Sequence, residues 1–284
     1  MAFFTPEPIS FATTPFFGSD AYVSGLNLTV TGLTTFTIGP GSARDLVTDY
    51  PIVFSNAIAG NPPAITVDIS TTGLNGCFPV PLASLNLAFN TVFPVYIVAN
   101  TEGTTSGNQN PSTNPAIIVA TANEFLPKNM NAYRRIGFIY VSSGSGFIIP
   151  WSQTGNNNDR TYMLAEAVVV LAAGVAGVYT DVDLTASAGP VPPNTRSLVY
   201  INTSVTSAVP GDSVQFTTGN LSPATYTTIS IVQTGAAPLP TMTTLLATPD
   251  EVTGHAEIRY RVTGGAAASL RVSGFVDNLG PSLF

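Results

Sequence analysis

"HAEIRYRV", residues 255–262, alternates strictly: Ala256, Ile258, Tyr260 and Val262 fall on one side of an extended chain, and His255, Glu257, Arg259 and Arg261 on the other. A period of two with one apolar face defines a half-buried antiparallel strand. Working outward, "GLNLTVTGL" (with Leu26, Leu28 and Val30), "FPVYIVAN", "AIIVATA", "SLVYINTSV" and "TISIVQT" read the same way, separated by turns such as "GNPP", "GSG" and "TGG". Helical periodicity is nearly absent. Many short strands punctuated in this way predict an all-β protein built as antiparallel β-sandwiches, jelly rolls or barrels.

The chain has 284 residues, more than the roughly 100–200 of one domain, so two domains are expected. The polar run "SQTGNNNDRT" (152–161) supplies the boundary. The expected organisation is an extended N-terminal arm over 1–22, a first β-sandwich or jelly-roll domain over 23–155 and a second over 156–284. The arm, "MAFFTPEPISFATTPFF" at its start, is rich in Phe and Pro and cannot easily continue a central strand. Phe3, Phe4, Phe11, Phe16 and Phe17 need a surface to cover them, on a neighbouring chain or on the arm's own domain. "EGTTSGNQNPSTNP" (102–115) reads as an exposed hairpin tip.

Charged residues make up only 9% of the chain, with a net charge of −7. Phosphate binding depends on clustered Lys and Arg, so nucleic acid is not an expected partner. The run "AVVVLAAGVAGVY" (167–179) is too short to cross a bilayer and suits a strand, which predicts a core element and no membrane partner. The N-terminal residues lack the basic start and unbroken apolar core of a secretory leader, which predicts synthesis in a cytoplasm. The lone Cys77 excludes an intramolecular disulfide and reads as a small buried hydrophobe. The sequons at Asn27, Asn202 and Asn220 follow from the abundance of Asn, Ser and Thr.

Catalytic patterns are weak. His255 is the only histidine, lies on a polar strand face and has no Gly-x-Ser-x-Gly elbow for company. One His and one Cys cannot build a usual zinc site. Asp181 and Asp183 share a strand face, and Asp250 with Glu251 falls in a turn; both pairs read as solvated acids rather than a glycoside-cleaving pair. "GPGSARD" (39–45) lacks the Lys-Ser/Thr and the helix of a phosphate loop. No catalytic residue, cofactor or metal is expected. Trp151, the only tryptophan, is a candidate for stacking on a sugar ring, against the commoner role of packing at a core edge.

Three segments, "TIGPGSARDLVTDYPIVF" (37–54), "GLNGCFPVPLASLNLAFNTVFPVYIVANT" (73–101) and "FLPKNMNAYRRIGFIYVSSGSGFIIPW" (125–151), resemble a family of tailed-bacteriophage structural proteins. In that family a strand ending Gly-x-x-Arg-Asp precedes a Gly-Leu-rich segment, a Val-Tyr-Val-Ile-type strand and a Tyr-x-Arg-Arg-Ile-Gly-like stretch leading into a hairpin. "VYTDVDLTASAGPVPPNTRSLVYINTSV" (178–205) is similar to a Leu-x-x-x-x-Pro-Pro-x-x-Arg segment that accompanies it. Ser-Thr-Asn commonly follows Arg-Asp there, whereas "LVTDY" follows Arg44 and Asp45 here. The resemblance implies a non-enzymatic, trimeric component of the virion exterior, a capsid-surface decoration or cement protein, with other virion proteins as partners. The alternative is a tail fibre or receptor-binding appendage that contacts a host surface glycan.

Arg134 and Arg135 in "NAYRRIGFIYV" (131–141) must point to opposite faces of a strand. One is expected to pair with a carboxylate such as Asp45 or Asp68, the other to reach a neighbouring subunit or lie along the sheet edge. Together with the five phenylalanines they are the assembly candidates.

Overall fold

The computed structural model describes residues 23–45, 50–55, 63–100, 115–121, 126–128, 130–155, 158–185, 189–193, 197–207, 209–218, 229–232 and 241–278. In chain order the strands are β1 (Val23–Gly25), β2 (Leu28–Val30), β3 (Thr35–Ile38), β4 (Gly41–Arg44), β5 (Pro51–Phe54), β6 (Ile65–Asp68), β7 (Gly76–Phe78), β8 (Thr91–Ala99), β9 (Ala116–Ala120) and β10 (Ala132–Val141). They continue with β11 (Trp151–Thr154), β12 (Asp159–Gly174), β13 (Thr180–Asp183), β14 (Ser197–Thr206), β15 (Ser213–Thr218), β16 (Ile229–Val232), β17 (Thr241–Pro249), β18 (Ala256–Val262) and β19 (Ala267–Asn278). One 3-10 turn at Leu82–Ser84 is the only other regular element among the described residues. The protein is all-β, as the alternation required. In β18 the apolar members Ala256, Ile258, Tyr260 and Val262 are all buried while Glu257, Arg259 and Arg261 are half-buried.

The strands form four sheets. Two have three strands each, in the orders β1-β4-β5 and β2-β3-β6; a third runs β10-β8-β9-β7. The fourth, of nine strands, runs β11-β12-β19-β14-β17-β18-β15-β16, with β13 also on β18. Neighbours are antiparallel except β7 and β9. Cys77 on β7 is fully buried, donates its thiol to Ile69 O, and burial pushes that thiol up to about 12. It behaves as the small hydrophobe expected of it.

The polar run 152–161 belongs to a hairpin, its ends lying in β11 and β12, which pair from Trp151 opposite Leu164 to Thr154 opposite Thr161. β11 therefore belongs to the sheet of the C-terminal half, although it lies before the boundary at 155. A polar cluster marks exposed backbone, which a hairpin turn and a linker both need. One continuous apolar core includes Leu26, Phe36, Ile97 and Ile136 from the first half and Tyr162, Ile201, Phe216 and Phe275 from the second.

The run 167–179 is strand as far as Gly174, and it meets the core from one side only, with Val168, Val170, Leu171 and Ala176 half-buried against it. No residue from 165 to 173 is buried, and Val169, Val175 and Val178 are 46%, 69% and 73% exposed. Composition selects the strand, but burial depends on which elements cover it. Among the described residues the last backbone bond on the β11 side of β12 runs from Ala165 N–H to Pro150 O. The arm, with Phe3, Phe4, Phe11, Phe16 and Phe17, lies outside the described residues, as do residues 101–114 of the polar loop.

Candidate functional site

The densest polar chemistry lies between the two halves of the chain. On β12, Arg160 and Tyr162 share a face because they are two residues apart. Directly opposite on β19 stand Asp277 and Phe275. Tyr162 stacks on Phe275 with ring centroids 5.0 Å apart and planes at 17°, and Trp151 meets Tyr162 edge-on at 5.4 Å. This face receives β10. Arg135 Nη1 donates to both carboxylate oxygens of Asp277, at 3.0 and 2.9 Å, and its guanidinium lies 4.4 Å over the Phe138 ring.

Arg135 and Phe138 are three residues apart and would face opposite sides of a regular strand. A bulge between Arg135 and Gly137 restores them to one face. Gly137 has no room for a side chain, since a Cβ there would run into Tyr162 Oη and the Leu28 methyls. Gly137→Ala is accordingly expected to destabilise the fold by about 1–3 kcal/mol through overpacking, measured as a lower urea midpoint; an unchanged midpoint would mean that β10 can move off β12.

Arg160 is fully buried. Its guanidinium donates to Leu26 O at 2.9 Å, to Ile136 O at 2.7 Å and to Gly25 O. Gly25 and Leu26 both take left-handed backbone angles, φ 66° and 54°. A Cβ on Gly25 would strike Pro40 O, so only glycine fits there. Side-chain amides extend the tie: Val23 N–H donates to Asn158 Oδ1 at 2.7 Å and Leu28 N–H to Gln153 Oε1 at 2.8 Å.

Burial raises the Asp277 carboxyl, while Arg135, then Arg160 and Arg134, act to lower it. Arg134 projects to the other side of β10 and is 2% exposed. Burial and the adjacent Arg135 bring its guanidinium down to about 10, against the opposing pull of Asp45 and Asp277, so it stays cationic at neutral pH. Of the two carboxylates expected as arginine partners, Asp45 lies near Arg134 and accepts from Tyr133 N–H at 3.1 Å. Asp68 instead accepts from the hydroxyl and the N–H of Ser70. Arg135 pairs with Asp277, 142 residues away, rather than with either. Arg135 thus fastens two distant parts of one chain together, Arg134 is buried with Asp45 near it, and neither projects freely.

Trp151 is 9% exposed. Its ring is covered by Tyr162, so the sugar-stacking assignment is corrected to a core-edge role. The hollow beside it, lined by Val92, Tyr140, Tyr162, Leu164 and Phe275, leaves about 10 Å³ for a water-sized sphere, too little for a sugar. Tyr96, half-buried, packs edge-on against Tyr133 at 6.1 Å.

A second group, Asp181, Asp183, His255, Glu257 and Arg259, forms a polar row along β13 and β18. Asp181 accepts from Arg259 Nε and Asp183 lies 2.7 Å from His255 Nδ1. Glu257 is directly opposite Asp183, and burial together with Asp181, Asp250 and Asp183 raises its carboxyl. Asp250 caps the turn before β18, accepting from Val252 N–H, Thr253 N–H and Thr253 Oγ1. Among the described residues no group of three or more His, Cys, Asp or Glu side chains is arranged to hold a metal. Exposed pairs of this kind contribute little, so Asp181→Asn and Asp183→Asn are each expected to cost less than about 1 kcal/mol, read from urea unfolding; a larger loss would reveal a buried role.

Sequence reasoning missed Arg160, Tyr162 and Asp277. The first two carried a signal, two large residues at i and i+2 in "DRTYML", hidden because Arg160 fell inside the polar run. Asp277, in "FVDNLG", carried none.

By fold the chain is an all-β, multi-sheet protein whose halves are tied by buried arginine–carboxylate and arginine–carbonyl bonds. Comparison of its sequence with protein-family models and with curated proteins returns no match.

Proposed function

We propose that this chain is a non-enzymatic structural protein of a tailed-bacteriophage virion, a capsid-surface decoration or cement protein that assembles as a trimer. The virion assignment rests on the sequence resemblance over residues 37–54, 73–101 and 125–151. The observation that supports assembly is the second half of β12: apolar, unburied over 165–173, and without a strand on its outer side past Leu164 among the described residues. Such an edge is an aggregation hazard in an isolated subunit and is managed by covering it. A buried polar joint in place of mobile domains suits a part that holds its shape outside a cell.

A tail-appendage reading draws on a different surface. Phe89 and Phe147 are 56% and 42% exposed, on loops joined by Gly144 N–H to Leu87 O and Ser143 N–H to Asn90 Oδ1. Aromatic faces beside hydroxyls and amides can stack on sugar rings. Electron microscopy of particles labelled with an antibody to this chain separates the readings. Label over the capsid surface is the expected result, label at the tail supports the appendage, and no label on purified particles overturns the virion assignment.

A further inference from the structure

Beyond Leu164, β12 has β19 on one side and no strand on the other among the described residues. This stretch, "AEAVVVLAAG" (165–174), contains one charged residue, Glu166, and its pairing with β19 shifts register between Met163 and Val168, between Val169 and Leu171, and between Leu171 and Gly174, so any added strand meets it in short pieces. Ala165, Val169, Ala172 and Ala173 are exposed along it, and Val175 and Val178 continue the apolar strip. The surface therefore presents apolar side chains along a side with no described strand. An added strand with apolar residues of its own suits such a side.

The chain carries one segment of that description outside the described residues. Residues 1–22 hold five phenylalanines, and prolines at 6, 8 and 15 restrict where they can pair, because proline has no N–H to donate. Between Pro8 and Pro15 lies "ISFATT" (9–14), a proline-free stretch of ordinary strand length. Its alternation puts Ile9, Phe11 and Thr13 on one face.

The described contacts also show where the arm joins the body. Val23 N–H meets Asn158, Gly25 O and Leu26 O meet Arg160, and Leu28 N–H meets Gln153, which stands opposite Tyr162. The chain from 23 to 28 thus runs in step with β12 from 158 to 162. Its N-terminal end lies beyond the start of β12, away from the open half of the same copy. Twenty-two extended residues span about 70 Å, enough to leave the subunit.

We propose that residues 9–14 of one copy add as a strand to the open edge of β12, residues 165–173, of a neighbouring copy. This rests on the assembly reading above and names its acceptor. Passed head to tail around a ring, the exchange closes as a trimer with the outer side of every β12 covered, which a heterologous contact allows.

Cysteine pairing tests it in the full chain, where the native Cys77 is buried. Phe11→Cys and Val169→Cys chains are co-expressed, oxidised, and their disulfides mapped by peptide mass. A disulfide joining the two kinds of chain in a sedimenting trimer is expected. In the doubly substituted chain, an 11–169 disulfide confined to single chains overturns the exchange in favour of the arm's own edge. Ala12→Pro, which alters only the arm, provides the second readout. Amides of 165–173 should lose protection from hydrogen exchange by about tenfold or more, with the rest of the body unchanged. A trimer with neither the disulfide nor the loss of protection overturns this pairing and leaves assembly standing. A monomer overturns both.

Discussion

Asp277→Ala is expected to destabilise the protein by about 3–5 kcal/mol, the usual cost of removing one partner from a buried ion pair. Asp277 is fully buried and takes both its bonds to Arg135 from a single guanidinium nitrogen. Arg160 stands directly across the sheet from it, and Arg134 adds a third positive charge. Without the carboxylate, the Arg135 and Arg160 guanidiniums lose the counter-charge between them, while Arg134 keeps Asp45 on the other side of β10. The measurement is urea unfolding, with the midpoint falling and the slope unchanged if only stability moves. The physical cause is checked by Arg135→Met combined with Asp277→Leu. If the loss comes from the stranded charge, the double variant is more stable than Asp277→Ala alone. A double variant as damaged as the single one would place the loss in packing instead.

Arg160→Met is expected to cost about as much, roughly 3–5 kcal/mol, by a different route. Methionine keeps much of the apolar stem and removes every donor. Three carbonyls, of Gly25, Leu26 and Ile136, then lose a charged partner, each such bond contributing about 1.5–3 kcal/mol before the non-additivity of shared sites. Two of these carbonyls belong to the left-handed turn after β1, so that segment is expected to loosen first. Hydrogen exchange at Val23 and Leu26, whose amides bond Asn158 and Pro40, reports it. Uniform loss of protection across β14 and β19 instead would mean that the guanidinium holds the whole fold rather than the N-terminal strand.

The sequence made the strands legible because alternation is a local property. "HAEIRYRV" gives the buried face of β18 residue by residue, and "AYRRIGFIYV" gives β10. Arg134 and Arg135 had to diverge, and they do. Their partners were not legible: Asp277 lies 142 residues from Arg135, and nothing local marks it out from the other acids. The role of Trp151 and the burial of the run 167–179 have one cause in common. The tryptophan takes the commoner core-edge role against Tyr162, and the valine-rich run is packed on the core from one side only, because coverage is decided by neighbouring strands.

By itself, then, the sequence determined the all-β class, the phase of the strands and the absence of α-helix in the described body, since each depends on residues within a few positions. Only the tertiary structure decided that 152–161 lies within a hairpin, that Arg160 and Asp277 join the two halves, that a bulge at Ile136 brings Arg135 and Phe138 to one face, and that the second half of β12 has no described strand on its outer side. Those outcomes are set by pairings between distant segments, which are selected by the free energy of the assembled sheets rather than by any stretch of chain alone.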